Sequence, residues 1–213
     1  MRPGEALRLA LRDFYENSWR LMLVNSALGA VLVVCVLAAL AAPAAIVLLV
    51  AVGPVVAALV HCCVTLARTG YLALTDALEG LRLHWRRGLV LGALAFAIAG
   101  VGFVAVRTYG SSPLWPLALV TLYALLVLVV YALVLWTLAI ARAERALRVT
   151  AHEAAALVAS RPGATLVLGF ALLLVNVAGI AAAVMPFLTL TVSYTFLATA
   201  HFVLPPSTLQ EAV

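Results

Sequence analysis

Charge is scarce in this chain, and lysine is absent. Of 213 residues, 10% are charged and 67% are hydrophobic, and all 13 basic residues are arginine. The mean hydropathy is +1.21. A soluble domain carries about 25% charged residues, so this composition excludes an ordinary soluble protein and is typical of an integral membrane protein. The net charge of +5 does not indicate a nucleic-acid partner, because the arginines form short clusters between apolar runs.

Cysteine is rare, and charged residues are missing from the long apolar runs. Cys35, Cys62 and Cys63 lie in or at the end of apolar runs without a CxxC spacing, which predicts neither a disulfide framework nor a zinc site. The long apolar runs contain no Asp, Glu, Lys or Arg. Intramembrane proteases, proton pumps and metal-dependent hydrolases need such groups at depth. The sequence therefore predicts no enzyme, no metal and no cofactor.

Six uncharged apolar runs are each about long enough to cross a bilayer as a helix. A Gly53-Pro54 pair in the second run predicts a helix kink. These runs predict an all-α, polytopic membrane bundle of six transmembrane helices in one domain, residues 1–213. The predicted spans are Leu21–Leu40, Ala44–Leu66, Gly88–Val106, Leu114–Ile140, Ala164–Val184 and Phe187–Leu204.

The N-terminal apolar run resembles a signal peptide in one respect, because small residues at Ala38–Ala42 are of the type that a signal peptidase accepts. The preceding segment carries Glu5, Asp13 and Glu16 beside its arginines, and the run is long enough to span. We therefore expect the N-terminus to remain in the mature protein.

Arginine is distributed unevenly between the two sides of the predicted membrane. Twelve of the 13 arginines lie before span one, between spans two and three, or between spans four and five. Only Arg107 lies on the other side. By the positive-inside rule, both termini are predicted to be cytoplasmic.

An amphipathic pattern covers residues 74–89, LTDALEGLRLHWRRGL. Leu74, Leu78, Leu81 and Trp85 recur at spacings of three and four, with charged residues between them, which predicts a helix on the cytoplasmic surface. Leu78, Leu81 and Trp85 are candidates for contact with a partner. Similar surface helices are predicted at residues 1–18, where Leu7, Leu11 and Phe14 form the apolar side, and at residues 142–161.

The outer turns suggest an internal repeat. Pro43, Pro113 and Pro186 are 70 and 73 residues apart, a spacing that favours three parallel units, residues 1–67, 68–141 and 142–213, each with a surface helix and a transmembrane hairpin. The alternative is that any six-helix protein with short outer turns has similar spacings.

Three stretches resemble the YesL-like family of bacterial membrane proteins: FYENSWRLMLVNSAL at residues 14–28, VGPVVAAL at 52–59 and EGLRLHWRRGLVLG at 79–92. Asn25 and Gly53-Pro54 match features of the family, while the Ala-rich turn at Ala41–Pro43 and the lack of lysine depart from it. The family has no established activity, and its members resemble accessory components encoded beside carbohydrate uptake and degradation genes. The resemblance implies a multi-pass protein of the bacterial cytoplasmic membrane, with permease subunits of a sugar importer as partners.

Two amides are candidates for a polar interior, because an amide in hydrocarbon needs partners. Asn25 and Asn176 either bind a ligand or join helices. Hydroxyl groups in spans four and six either line a path for a neutral, hydroxyl-rich solute or bond to their own helices. These hydroxyl residues are Tyr123, Tyr131, Thr189, Thr191, Ser193 and Tyr194.

Other side chains also allow two interpretations. Arg20, Arg86 and Arg161 either form a basic ring at a cytoplasmic mouth or anchor to lipid phosphate. His61, with Cys62 and Cys63, and His201 form a metal or redox pair if spans two and six adjoin. The alternative is that each histidine lies at the cytoplasmic interface, where its polar edge is solvated. Two functions follow from the sequence. One is an accessory or assembly subunit of a carbohydrate importer, and the other is a small transporter or channel for a neutral or polar solute.

Overall fold

A computed structural model of the chain describes residues 2–182 and 190–204. These residues form eight α-helices and one 3₁₀ helix, which confirms the prediction of an all-α protein. The α-helices are α1 (Pro3–Glu16), α2 (Ser18–Ala41), α3 (Val52–Thr69), α4 (Leu74–Gly110), α5 (Trp115–Ala141), α6 (Leu147–Ser160), α7 (Pro162–Ala182) and α8 (Val192–Val203), and the 3₁₀ helix is Pro43–Ala51.

Within residues 2–182 and 190–204, five helical segments are long and apolar enough to cross a membrane, which supports an integral membrane protein. Apolar runs become helices in lipid because every backbone polar group must be satisfied within the segment. The predicted sixth span falls partly outside the described residues, and α8 contains 12 residues, fewer than the roughly 20 that a span requires. The five segments are Ser18–Ala41, Ala44–Thr69, Leu74–Gly110, Trp115–Ala141 and Pro162–Ala181.

The second apolar run changes helix type near Gly53-Pro54. The chain is a 3₁₀ helix from Pro43 to Ala51 and an α-helix from Val52. Pro54 is the third residue of α3, within the first turn, where the N–H that proline lacks would have no helical partner. The kink at Gly53-Pro54 stays a prediction, and the pair lies next to a junction between two kinds of helix.

The α4 helix corrects the prediction of a separate surface helix at residues 74–89. It is one continuous helix of 37 residues from Leu74 to Gly110, about 55 Å long at 1.5 Å per residue. A single glycine such as Gly88 weakens a helix by only about 1 kcal/mol and does not end it. The amphipathic segment and the third predicted span are consequently parts of the same helix.

The core of the protein lies at one end of the bundle, which we call the arginine-rich end. It contains α1, the C-terminal ends of α3, α5 and α8, and the N-terminal ends of α2 and α4. The α3 helix packs against α2, α4, α5 and α8, and α1 packs against α8 and α7. Residues 195–202 of α8 and 134–140 of α5 are all buried. The opposite ends of α4 and α5 expose large apolar side chains such as Phe103 and Leu122.

The α1 helix docks through a face that overlaps the predicted one, since Leu7 and Phe14 are partly buried and pack against the core. Its buried residues are Ala6, Ala10 and Asp13, whereas Leu11 is exposed. Small side chains allow α1 to approach α8 closely, and this close contact explains why the leucines are not at the centre of the interface.

The contact between α3 and α4 depends on glycine. A Cβ atom on Gly88 would lie 2.7 Å from the Cα atom of Pro54, and one on Gly92 would lie 3.0 Å from the Cα atom of Gly53. Both neighbours are backbone atoms, so they cannot move aside at low cost. Close backbone approach through small residues is a common way to pack helices in membranes.

The threefold repeat remains a prediction. Pro186 lies outside the described residues, so the three outer turns cannot be compared there. The helices that precede the hairpins also differ, since α1 and α6 are separate helices of 14 residues while the middle one continues into a span.

Candidate functional site

A buried acid and a buried histidine meet at the arginine-rich end. Asp13 of α1 and His201 of α8 are 5% and 9% exposed, and Oδ2 of Asp13 lies 2.9 Å from Nε2 of His201. Arg12 donates from Nε and Nη2 to the other carboxylate oxygen, both at 3.2 Å. The pair joins residues 188 positions apart in the chain, so no local sequence pattern predicted it.

The electrostatic environment keeps this carboxylate ionised. Burial alone would raise the pKa of Asp13, but the hydrogen bond to His201, the charge of His201 and the neighbouring Arg12 together lower it below its ordinary value. Tyr194 of α8 donates its hydroxyl hydrogen to the carbonyl oxygen of Leu7 at 3.2 Å. The α1 and α8 helices are thus joined by the contact between Asp13 and His201 and by the hydrogen bond from Tyr194.

A second pair of side chains, formed by two histidines, lies between α3 and α4. Nδ1 of His61 is 3.2 Å from Nε2 of His84, so one ring donates the hydrogen and the other accepts it. Gly80 leaves room for this arrangement, because a Cβ atom there would lie 2.8 Å from Cβ of His61. Nδ1 of His84 is buried and has no partner among the described residues.

The metal or redox site predicted from His61, Cys62, Cys63 and His201 requires α3 and α8 to lie side by side. The α3 and α8 helices do pack together, but His61 bonds to His84 and His201 bonds to Asp13. Cys63 is in contact with α8, where its thiol donates to the carbonyl oxygen of Ser193 at 3.5 Å. Within residues 2–182 and 190–204, no group of three or more His, Cys, Asp or Glu side chains is placed to hold a metal ion.

The three candidate arginines occupy separate positions. Arg20 lies over the rings of Trp19 and Tyr71 and donates to the carbonyl oxygen of Leu72 at 2.7 Å. Arg86 lies over Trp85, and Arg161 is exposed at the end of α6. No hydrogen bond joins these arginines in the described part of the chain, so they do not form a bonded ring there.

Two arginines that the sequence did not single out bind the C-terminal end of α5. Arg87 donates to the carbonyl oxygens of Ala139 at 2.8 Å and Arg145 at 2.6 Å, and also to that of Ala143. Arg68 donates to the carbonyl oxygen of Ala141 at 3.0 Å. The last carbonyls of a helix lack intrahelical partners, and cations near that end are favourable. These arginines therefore fix α3 and α4 to the end of α5.

The two candidate amides have different environments. Asn25 is completely buried, and neither its Nδ2 nor its Oδ1 atom has a partner among the described residues. Asn176 is half-buried and donates from Nδ2 to the carbonyl oxygen of Leu172 at 2.7 Å and to Oγ1 of Thr195 at 2.8 Å. No hydrogen bond connects the two amides in the described structure.

The predicted hydroxyl lining is dispersed. Tyr123 is 70% exposed on α5, and Tyr131 donates to the carbonyl oxygen of Ala151 in α6 at 3.1 Å. Thr191 and Ser193 are buried near the start of α8, while Thr189 lies outside the described residues. These side chains are not gathered around one cavity with both amides.

The candidate partner residues lie on the exposed side of α4. Leu78 is 66% exposed, and Leu81 and Trp85 are also exposed. The buried side of α4 consists of Gly80, His84, Gly88, Leu91 and Gly102. The apolar stripe that the sequence emphasised therefore points away from the bundle.

Comparison with known proteins found no matching family model, no matching curated protein and no matching solved structure.

Proposed function

We propose that the protein is an integral membrane accessory or assembly component of a bacterial carbohydrate uptake system. Its place is the bacterial cytoplasmic membrane, with six spans in three related units, both termini in the cytoplasm and no catalytic activity of its own. The observation that carries the accessory role is the exposed apolar stripe Leu78, Leu81 and Trp85 on α4. The link to sugar import is supported by the resemblance to the YesL-like family.

The stripe is suited to a partner because of where α4 places it. A helix of 37 residues is longer than the 40–45 Å or so of a bilayer with its headgroups. Asp76, Glu79 and Arg82 are in the first part of α4, and charged side chains are costly in hydrocarbon. This part therefore extends beyond the lipid, where a row of exposed apolar side chains favours contact with another protein.

The contacts of the polar residues favour an accessory role over independent transport. A solute that crosses hydrocarbon must have its hydrogen bonds to water replaced. The side chains of Asn176, Tyr131 and Tyr194 already bond to backbone or side-chain atoms of this chain. A transporter or channel remains the second candidate. The observation that favours it is the fully buried amide of Asn25, which has no hydrogen-bond partner among the described residues.

We expect the arginine-rich end to face the cytoplasm. In a variant without native cysteines, a single cysteine at Ser111, between α4 and α5, should react with an impermeant thiol reagent in intact cells. A cysteine at Ser160, at the end of α6, should react only after the cells are opened. Both positions are exposed, so a difference reports sidedness. The reverse labelling pattern would contradict the proposed orientation.

We expect the triple substitution Leu78→Ser, Leu81→Ser and Trp85→Ser to release a permease subunit that copurifies with the protein from native membranes. The measurement is the recovery of identified permease peptides by mass spectrometry, which should fall at least about tenfold, as expected for loss of an apolar contact centre. Leu83→Ser is the matched control, because Leu83 is equally exposed but lies about 140° or more around the helix from the stripe.

The transport alternative makes the opposite prediction. Purified protein in liposomes should take up labelled mono- or oligosaccharides if it acts alone, and the uptake should be lost in Asn25→Leu while the protein still folds. Such uptake would reject the accessory role. No uptake, together with a permease that is released by the triple substitution and retained by Leu83→Ser, is the result that we expect.

A further inference from the structure

A groove with a volume of about 360 Å³ lies between α5, α7 and α8. Gly169 allows close approach here, since a side chain at this position would collide with Val130 of α5. The groove is lined by Leu126, Val129, Val130, Leu133, Gly169, Leu172, Leu173, Asn176, Ile180, Val192, Thr195 and Phe196.

The position of the groove determines which molecules can reach it. Its walls belong largely to α5 and α7, both of which are long and apolar enough to span the membrane. Val129 and Ile180 are exposed at the surface of the protein, so the groove opens towards the surrounding hydrocarbon. Molecules dissolved in the bilayer reach such a site, and strongly polar solutes do not.

The walls of the groove suit a hydrocarbon chain. Among the described residues that line it, only Asn176 and Thr195 carry polar side chains. A hydrocarbon chain packs against such apolar side chains through dispersion contacts.

One polar atom distinguishes this groove from a plain lipid-facing surface. Both hydrogens of the Asn176 amide are used, one on Leu172 and one on Thr195. Thr195 in turn donates its hydroxyl hydrogen to the carbonyl oxygen of Thr191 at 2.8 Å. No described residue donates to Oδ1 of Asn176. An amide oxygen in apolar surroundings is stabilised by a donor such as a hydroxyl group.

We propose that this groove binds one hydrocarbon chain of a membrane lipid and that Oδ1 of Asn176 accepts a hydrogen bond from a hydroxyl group of the same lipid. This site is independent of the accessory role, because α4 does not contribute to the groove.

The test uses the full-length protein in liposomes that contain a monoacylglycerol with a photoreactive diazirine in its acyl chain. After illumination, mass spectrometry locates the labelled residues. We expect labels on the groove residues of α5 and α7 and at least about fivefold less labelling there in Val129→Trp, which fills the groove. Val127→Trp is the matched control, since Val127 lies on the same helix with similar exposure and does not line the groove. Even labelling of all lipid-facing surfaces, or equal labelling in both variants, would overturn the site.

The role of Asn176 is tested separately with the same probe after methylation of its hydroxyl groups. In the wild-type protein, the methylated probe should label the groove about fivefold less, as expected for one hydrogen bond. In Asn176→Leu, the two probes should label it equally. Equal labelling by both probes in the wild-type protein would overturn the assigned hydrogen bond. Retained labelling by the methylated probe in Asn176→Leu shows that this variant still forms the groove.

Discussion

Gly88→Ala should prevent α3 and α4 from packing as they do in the wild-type protein. The added Cβ atom would lie 2.7 Å from the Cα atom of Pro54 and 2.8 Å from the carbonyl oxygen of Gly53. Both are backbone atoms, so the helices must separate. We expect a loss of about 3 kcal/mol in the free energy of unfolding, at the upper end of the usual overpacking cost. Thermal unfolding in detergent, followed by tryptophan fluorescence and by size-exclusion chromatography, measures the effect.

Gly100→Ala is the control for this substitution, because it makes the same chemical change in the same helix. A Cβ atom at Gly100 would meet nothing within 4 Å. We therefore expect no loss of stability, and a gain of up to about 1 kcal/mol, since alanine favours a helix more than glycine does. Equal stability of the two variants would mean that the glycine contact between α3 and α4 does not limit the fold.

His201→Leu should also destabilise the protein strongly. It leaves the buried carboxylate of Asp13 without its partner from α8, although Arg12 still pairs with the other oxygen. Removing one member of a buried charged pair costs about 3–5 kcal/mol, and we expect a value near the lower limit because Arg12 remains. The same unfolding assay, together with proteolysis of the released α1, detects the change.

The double variant Asp13→Leu, His201→Leu separates the charge effect from general damage. It removes the unpaired carboxylate and replaces both groups with apolar side chains, so most of the lost stability should return. If the double variant loses as much free energy of unfolding as Asp13→Leu and His201→Leu lose together, the two substitutions act as independent packing defects and the side chains do not act as a pair.

Acid should weaken the same contact through Asp13. The pKa of Asp13 is lowered in the folded protein, so its carboxylate contributes stability above the ordinary carboxyl pKa of about 3.9, and this contribution is lost as the pH falls through the folded pKa. Asp13→Asn should consequently be less stable than the wild-type protein at pH 7, and the difference should disappear in strong acid. A difference that persists unchanged at low pH would argue against an ionised Asp13.

Two of the three predicted surface helices show which contact residues the sequence pattern did not identify. The leucines and Trp85 of α4 form a regular stripe that was predicted to face a partner, and this stripe is exposed. The side of α4 that packs in the bundle contains Gly80, His84 and Gly88. In α1 the structure buries Ala6, Ala10 and Asp13 and exposes Leu11. In a membrane, lipid is as apolar as leucine, so helices associate through close packing of small residues and through polar contacts.

The sequence by itself determined that this is an all-helical membrane protein. It did so because long uncharged runs can satisfy their backbone polar groups in lipid only as helices, and this requirement acts within each segment. It also identified Asn25 and Asn176 as unusual, since an amide in an apolar run is costly wherever it lies.

The tertiary structure alone decided which polar groups meet. His61 pairs with His84, Asp13 pairs with His201, and Arg87 binds the end of α5. It also decided that α4 is one helix and that Asn176 faces a groove with Thr195. The physical reason is distance along the chain. Residues 188 positions apart leave no periodic pattern, and their contact arises only when α1, α3 and α8 pack into one bundle.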